Sequence, residues 1–340
     1  FLFDTAIILL DTCTAFLLQI AFHETGHLLF GLLSGYRLIS LRVCRLQLSK
    51  TARGWRLVIC KTPGSAGQCL MLPPRHKNGR VPYLAYNMGG VFCNLLSAAV
   101  FTLLYLFLEH APWFGLFCGI AAGTGLLFAL MNGLPIHYGM LDNDACNARS
   151  IARDAEAMRG FLLQLHTASA IGMGGRLRDL PESWFVPPKE PQNALAASIG
   201  VYACLRAMDQ MDFETATRIG LPLLEEERGV CLYHRHLLTL EMLYCALVCG
   251  SGTTQLERHL TKDFLNFQKS MSRSLSVLRT QYAYALLEQC DRAAAKEKLT
   301  RFEKAARRHP NRGEAEEERA LIAHAQAVDE ARRSPAPAPV

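Results

Sequence analysis

Residues 5–35 form an apolar run interrupted by Asp11, and this run constrains the chain more than any other segment. About 20 apolar residues suffice to cross a bilayer. A span over roughly 13–33 fits within it, yet its interior holds Phe22-His23-Glu24-Thr25-Gly26-His27-Leu28. Charged groups at mid-membrane cost roughly 2.5–3.5 kcal/mol each on insertion scales, so His and Glu at this depth require a compensating partner. On a helix, His23 and His27 stand four residues apart and leave from one face. H-E-x-x-H at this spacing suits two ligands of a tetrahedral Zn²⁺, with Glu24 beside them as general base.

Two further runs follow, at about 83–108 and 113–134, and three transmembrane helices are expected. Between Tyr36 and Arg80 lie ten Lys or Arg (37, 42, 45, 50, 53, 56, 61, 75, 77 and 80) and no Asp or Glu. A short basic loop between spans stays on the cytoplasmic side. The link Glu109-His110-Ala111-Pro112 has no Lys or Arg and suits the opposite side. This order returns the end of the third span to the side reached by the end of the first. Leu38–Leu46 and Trp55–Ile59 alternate over short periods, with Pro63-Gly64 and Gly67 following, which predicts short strands and a β-hairpin within the 36–80 loop.

Beyond residue 145 the chain is charged and reads as soluble helix. One helix is expected from about 145 to 165, then a Pro-rich linker over 180–191. From 192 to 330 a cytoplasmic domain of helix–break–helix pattern follows, suggestive of a helical repeat of tetratricopeptide type, with Asp212 and Asp291 as entries to second helices and His309-Pro310 ending a pair. A disordered tail is expected over 331–340. The fold class is therefore mainly α: a three-helix membrane core over 1–150 with a small β insertion, then a helical cytoplasmic domain.

The net charge of +6 is mild and gives no nucleic-acid signature. The twelve cysteines include no C-x-x-C pair and read as reduced thiols. His76, His137, His234 and His236 read as surface or loop groups, with His137 close enough to the site for a supporting role. Gly172-Met173-Gly174-Gly175 follows no strand, which argues against phosphate binding.

A catalytic zinc takes three protein ligands and leaves one position open. After the third span the chain offers Asn132-Gly133-Leu134-Pro135 and then Leu141-Asp142-Asn143-Asp144-Ala145, where either Asp is a candidate third ligand or an N-cap. With H-E-x-x-H in the first span and N-x-x-P…D after the third, the chain resembles the site-2 protease family of intramembrane zinc metalloproteases. Gly90 to Asn94 is similar to that family's G-x-x-x-N element, and Pro63 to Met71 resembles a segment of its bacterial members. The likeness covers roughly residues 10–150. It implies Zn²⁺ held by His23, His27 and Asp144, Glu24 as catalytic base, and Asn132 and Asn94 as binders of exposed substrate backbone. Ala145 stands where the family usually has Gly, so Asp142 stays an alternative to Asp144. The substrates implied are membrane-anchored proteins or peptides cut near the cytoplasmic face. The competing reading is a catalytically silent membrane scaffold that binds a partner through its helical domain.

Overall fold

A computed structural model describes residues 2–59, 65–74, 81–107, 112–137, 140–224 and 229–333. The chain is mainly helical, with 72% helix and a small antiparallel sheet. It divides into two compact units, residues 1–169 and 170–340.

The first unit is built on α1 (Leu2–Leu33), α2 (Tyr83–Phe107) and α3 (Pro112–Gly133), which pack against one another. All three are long and apolar enough to cross a membrane. At 32 residues α1 measures about 48 Å. It begins well before the expected span start near residue 13 and carries Asp4 and Asp11 in its extra turns. Polarity in this bundle is inverted relative to a water-soluble core. Leu9, Leu10, Leu17, Leu96, Leu103, Phe107 and Leu127 are exposed, whereas Gln19, His23, Glu24, His27, Asn87 and Asn94 are buried. Lipid can solvate the outer side chains, while the polar ones must find partners inside. Gln19 does so across all three helices. Its amide nitrogen donates to Ala121 O, and its Oε1 accepts from Asn94 and Ser97. Gly26 of α1 and Gly89 of α2 meet backbone to backbone, where a Cβ on either would collide with the other's carbonyl.

The basic loop forms more than the hairpin expected of it. Four strands, β1 (Arg37–Val43), β2 (Leu46–Thr51), β3 (Gly54–Ile59) and β4 (Gly67–Leu72), make an antiparallel sheet in the order β3-β2-β1-β4. The alternation of burial in β4 is hidden in the sequence because Leu70 and Leu72, its outward positions, are as apolar as Cys69 and Met71 inside. Both β1 and β4 pack on α1. Residues 60–64, 75–80 and 108–111 lie outside the described residues, and with them Lys61, Pro63-Gly64, Arg75, His76, Lys77, Arg80 and most of the link before α3.

The helix expected over 145–165 is two helices. α4 (Asp144–Arg153) and α5 (Ala155–Gly172) are separated by Asp154, whose backbone is extended at φ −138°, ψ 120°.

In the second unit the expected Pro-rich linker is ordered. It forms a turn at Glu182–Phe185 that buries Phe185, just after a turn at Leu177–Asp179 that buries Leu177. α6 (Ala194–Asp209), α7 (Phe213–Leu223), α8 (Leu232–Cys249), α9 (Lys262–Ser270), α10 (Leu275–Ala283), α11 (Arg292–Ala306) and α12 (Arg312–Arg333) follow. Asp212 and Asp291 accept from the backbone N–H groups of Thr215 and Ala294, and so cap α7 and α11, which pack on α6 and α10. His309-Pro310 falls between α11 and α12. α12 runs through Arg333, three residues into the segment expected as a disordered tail, and residues 334–340 lie outside the described ones. His236 is buried against Phe264 and Phe267, and His234 is half-buried, so neither is the surface group expected of it. The described cysteines are all free thiols.

Candidate metal centre

One stripe of α1, Gln19, His23 and His27, faces inward at spacings of four. His23 Nδ1 lies 2.7 Å from Asn94 Oδ1, and His27 Nδ1 lies 2.7 Å from Tyr86 O. Both partners are acceptors. Asn94 is oriented by its amide nitrogen, which donates to Gln19 O at 3.0 Å and Gln19 Oε1 at 2.8 Å, so its oxygen must face His23. Each Nδ1 therefore carries the proton, and in the neutral rings both Nε2 atoms present a lone pair.

Those lone pairs converge. The two Nε2 atoms are 3.1 Å apart, and Asp144 Oδ2 lies 3.0 Å from that of His23 and 3.4 Å from that of His27. Asp144 Oδ2 is buried, and the two ring nitrogens are its only polar neighbours recorded among the described residues. Three acceptor atoms in mutual contact repel unless a proton or a metal cation lies among them. Ligand bonds of about 2.0–2.1 Å in a tetrahedron separate the ligands by about 3.3 Å, which these three edges match. The donor set thus fits a divalent ion with a fourth position open.

Asp144 reaches the histidines because Asn143 takes the capping role. Asn143 Oδ1 accepts from Cys146 N, and its amide nitrogen donates to Met131 O at 2.7 Å and Leu134 O at 2.6 Å, tying α4 to the end of α3. Asp144 then begins the helix and is free to turn inward. Ala145 is helical and buried, so a left-handed residue is not required there. Asp142 points elsewhere, to His137.

Glu24 is buried in α1 next to His23 and within the same packed core as His27 and Asp144. Its carboxylate lies against Gly67, at the start of β4, where any Cβ would strike Glu24 Oε1. Arg42, counted in the sequence only as one of the topology charges, is buried. It donates to Cys44 O, Ser65 O, Ser65 Oγ and Gly67 O, holding the 65–67 segment at Glu24. Tyr86 O–H donates to Cys69 O at 2.6 Å, and its ring stacks on Tyr36. Burial pushes the Cys69 thiol well above its ordinary value, which leaves it a poor nucleophile.

Of the two asparagines expected to hold substrate backbone, Asn94 is committed to His23 and Gln19. Asn132 donates to Phe128 O on its own helix, its one hydrogen bond among the described residues. Gln19, Arg42, Tyr86 and Asn143 carried no sequence signal beyond polarity. A glutamine inside an apolar run was the available hint.

The chain matches no family model, no curated protein and no solved structure.

Proposed function

We propose that this chain is an intramembrane zinc metalloendopeptidase of the site-2 protease type, which hydrolyses membrane-anchored proteins or peptides near the cytoplasmic face. The observation that carries this reading is the meeting of three acceptor atoms, from His23, His27 and Asp144, beside Glu24 in a helix long enough to span a bilayer. The residues fit zinc by donor type and by edge length, and bound zinc supplies a polarised water with its pKa lowered towards about 7 and a Lewis acid for the scissile carbonyl.

The chain's own groups do the rest. Asn94 and the Tyr86 carbonyl keep the protons of His23 and His27 on Nδ1. Glu24 takes the proton from the attacking water and passes it to the leaving amine. β4 is an edge strand with Gly67 against Glu24, and an unwound substrate can add alongside it through main-chain hydrogen bonds. In this reading the basic loop and the helical second unit are cytoplasmic, and the second unit serves as a docking or regulatory module for a protein partner.

The test compares membrane proteomes of cells carrying wild-type and Glu24→Gln protein. Fragments present only with the wild type are expected, with cleavage falling at least 100-fold in the variant. Identical fragments in both would overturn the peptidase and favour a scaffold. His23→Ala should lower the zinc content of the purified full-length chain. An unchanged content would sink the metal assignment.

A further inference from the structure

The segment joining α3 to α4 gathers a second set of ligand atoms that the first site does not use. His137, Asp142 and Cys146 each bring one ligand atom to within 4.8 Å of the other two. His137 Nδ1 is 2.8 Å from Asp142 Oδ1 and 3.9 Å from Cys146 Sγ. A cysteine nucleophile relayed through histidine needs thiol and carboxylate on opposite ring nitrogens. Here both meet the same one, which excludes that arrangement.

Three different donors facing one point suit a cation. With metal bonds of about 2.0–2.3 Å, a tetrahedral site separates nitrogen from sulfur by about 3.5 Å and nitrogen from oxygen by about 3.3 Å. The N···S pair must close by about 0.4 Å, and the N···O pair must open by about 0.5 Å as its hydrogen bond gives way to two metal bonds. A thiolate and a carboxylate neutralise a divalent charge. Sulfur with imidazole selects a zinc-like ion over magnesium or calcium. Cys146 is buried, while the His137 side chain is 75% exposed, so the cluster borders solvent on the His137 side.

We propose that His137, Asp142 and Cys146 form a second, exchangeable site for a thiophilic divalent cation such as Zn²⁺, which clamps the turn bearing Asp144. The ion bonds to Nδ1, Oδ1 and Sγ, the Cys146 S–H bond breaks, and its proton passes to solvent. Asp142 and Cys146 flank Asp144 by two positions on either side, so the clamp holds the third ligand of the first site in place. That consequence rests on the peptidase reading; the ion site itself does not.

Cobalt(II) titration of the full-length protein in detergent separates the two. The first site has no sulfur donor, so sulfur-to-cobalt charge-transfer absorption in the near ultraviolet reports on the second alone. Wild type should show this band and bind two ions per chain. Cys146→Ser should lose the band and one ion. His137→Ala, an exposed position that spares the fold if Cys146→Ser does not, should weaken the band's apparent affinity at least tenfold. His23→Ala should keep the band and lose the other ion. Absence of the band, or its survival unchanged in Cys146→Ser or His137→Ala, overturns the proposal. One ion per chain, with the band intact and nothing lost in His23→Ala, would support the second site while sinking the first.

Discussion

At the scale of single residues, the acceptor on one ring nitrogen decides what the other can do. Asn94 Oδ1 and Tyr86 O fix the protons of His23 and His27 on Nδ1, and the Nε2 lone pairs become available together. Asn94→Ala removes one of these acceptors without touching a ligand. It should weaken zinc binding about 10–100-fold, measured by competition with a chelator. Equal affinity in the variant would show that the Asn94 contact has no part in holding the ring. The pairing of His23 with His27 could be read from their spacing, because helical geometry alone puts them on one face. The role of Asn94 could not, since it depends on α2 lying against α1 with Gly26 and Gly89 in contact.

Among the elements, the start of α4 decides which aspartate meets the two histidines. Asn143 caps the helix and bonds the last carbonyls of α3, so one side chain fixes both the height and the rotation of Asp144. Asn143→Ala should cost about 1 kcal/mol for the lost cap alone. It should also raise the rate at which metal leaves the first site, read as faster transfer of zinc to a chelator alongside a lower melting temperature. A variant with both values at wild-type level would contradict this account. Three long helices were legible as apolar runs, since length and hydropathy suffice for that inference. The break at Asp154 and the fourth strand were not. The first interrupts a sequence with no Pro or Gly at the break, and the second lacks visible alternation.

For the whole molecule, the second unit keeps its own buried polar centre. Arg279 Nη2 lies 2.6 Å from Glu241 Oε2, its Nε lies 2.9 Å from Glu318 Oε2, and its guanidinium stands 4.4 Å from the Tyr244 ring centre. Removing the arginine would strand two carboxylates inside. Arg279→Ala should destabilise the unit by about 3–5 kcal/mol. The measure is the urea concentration at which buried Cys204 and Cys245 become reactive to a thiol reagent. An unshifted midpoint would mean that the network contributes nothing. Nothing in the sequence paired Arg279 with Glu241 and Glu318, because 38 and 39 residues separate them along the chain.

The sequence by itself determined three long apolar helices, and the two histidines and glutamate inside the first, because these follow from local composition and a repeat of 3.6 residues per turn. The tertiary structure decided which aspartate joins them, sent Asp142 to His137 and Cys146 instead, placed Asn94 against His23 and Gln19, and buried Arg42 behind Glu24. Each of these is a contact between segments far apart or on opposite sides of a turn. Its physical basis is the packing of α1, α2, α4 and the sheet, which no local pattern encodes.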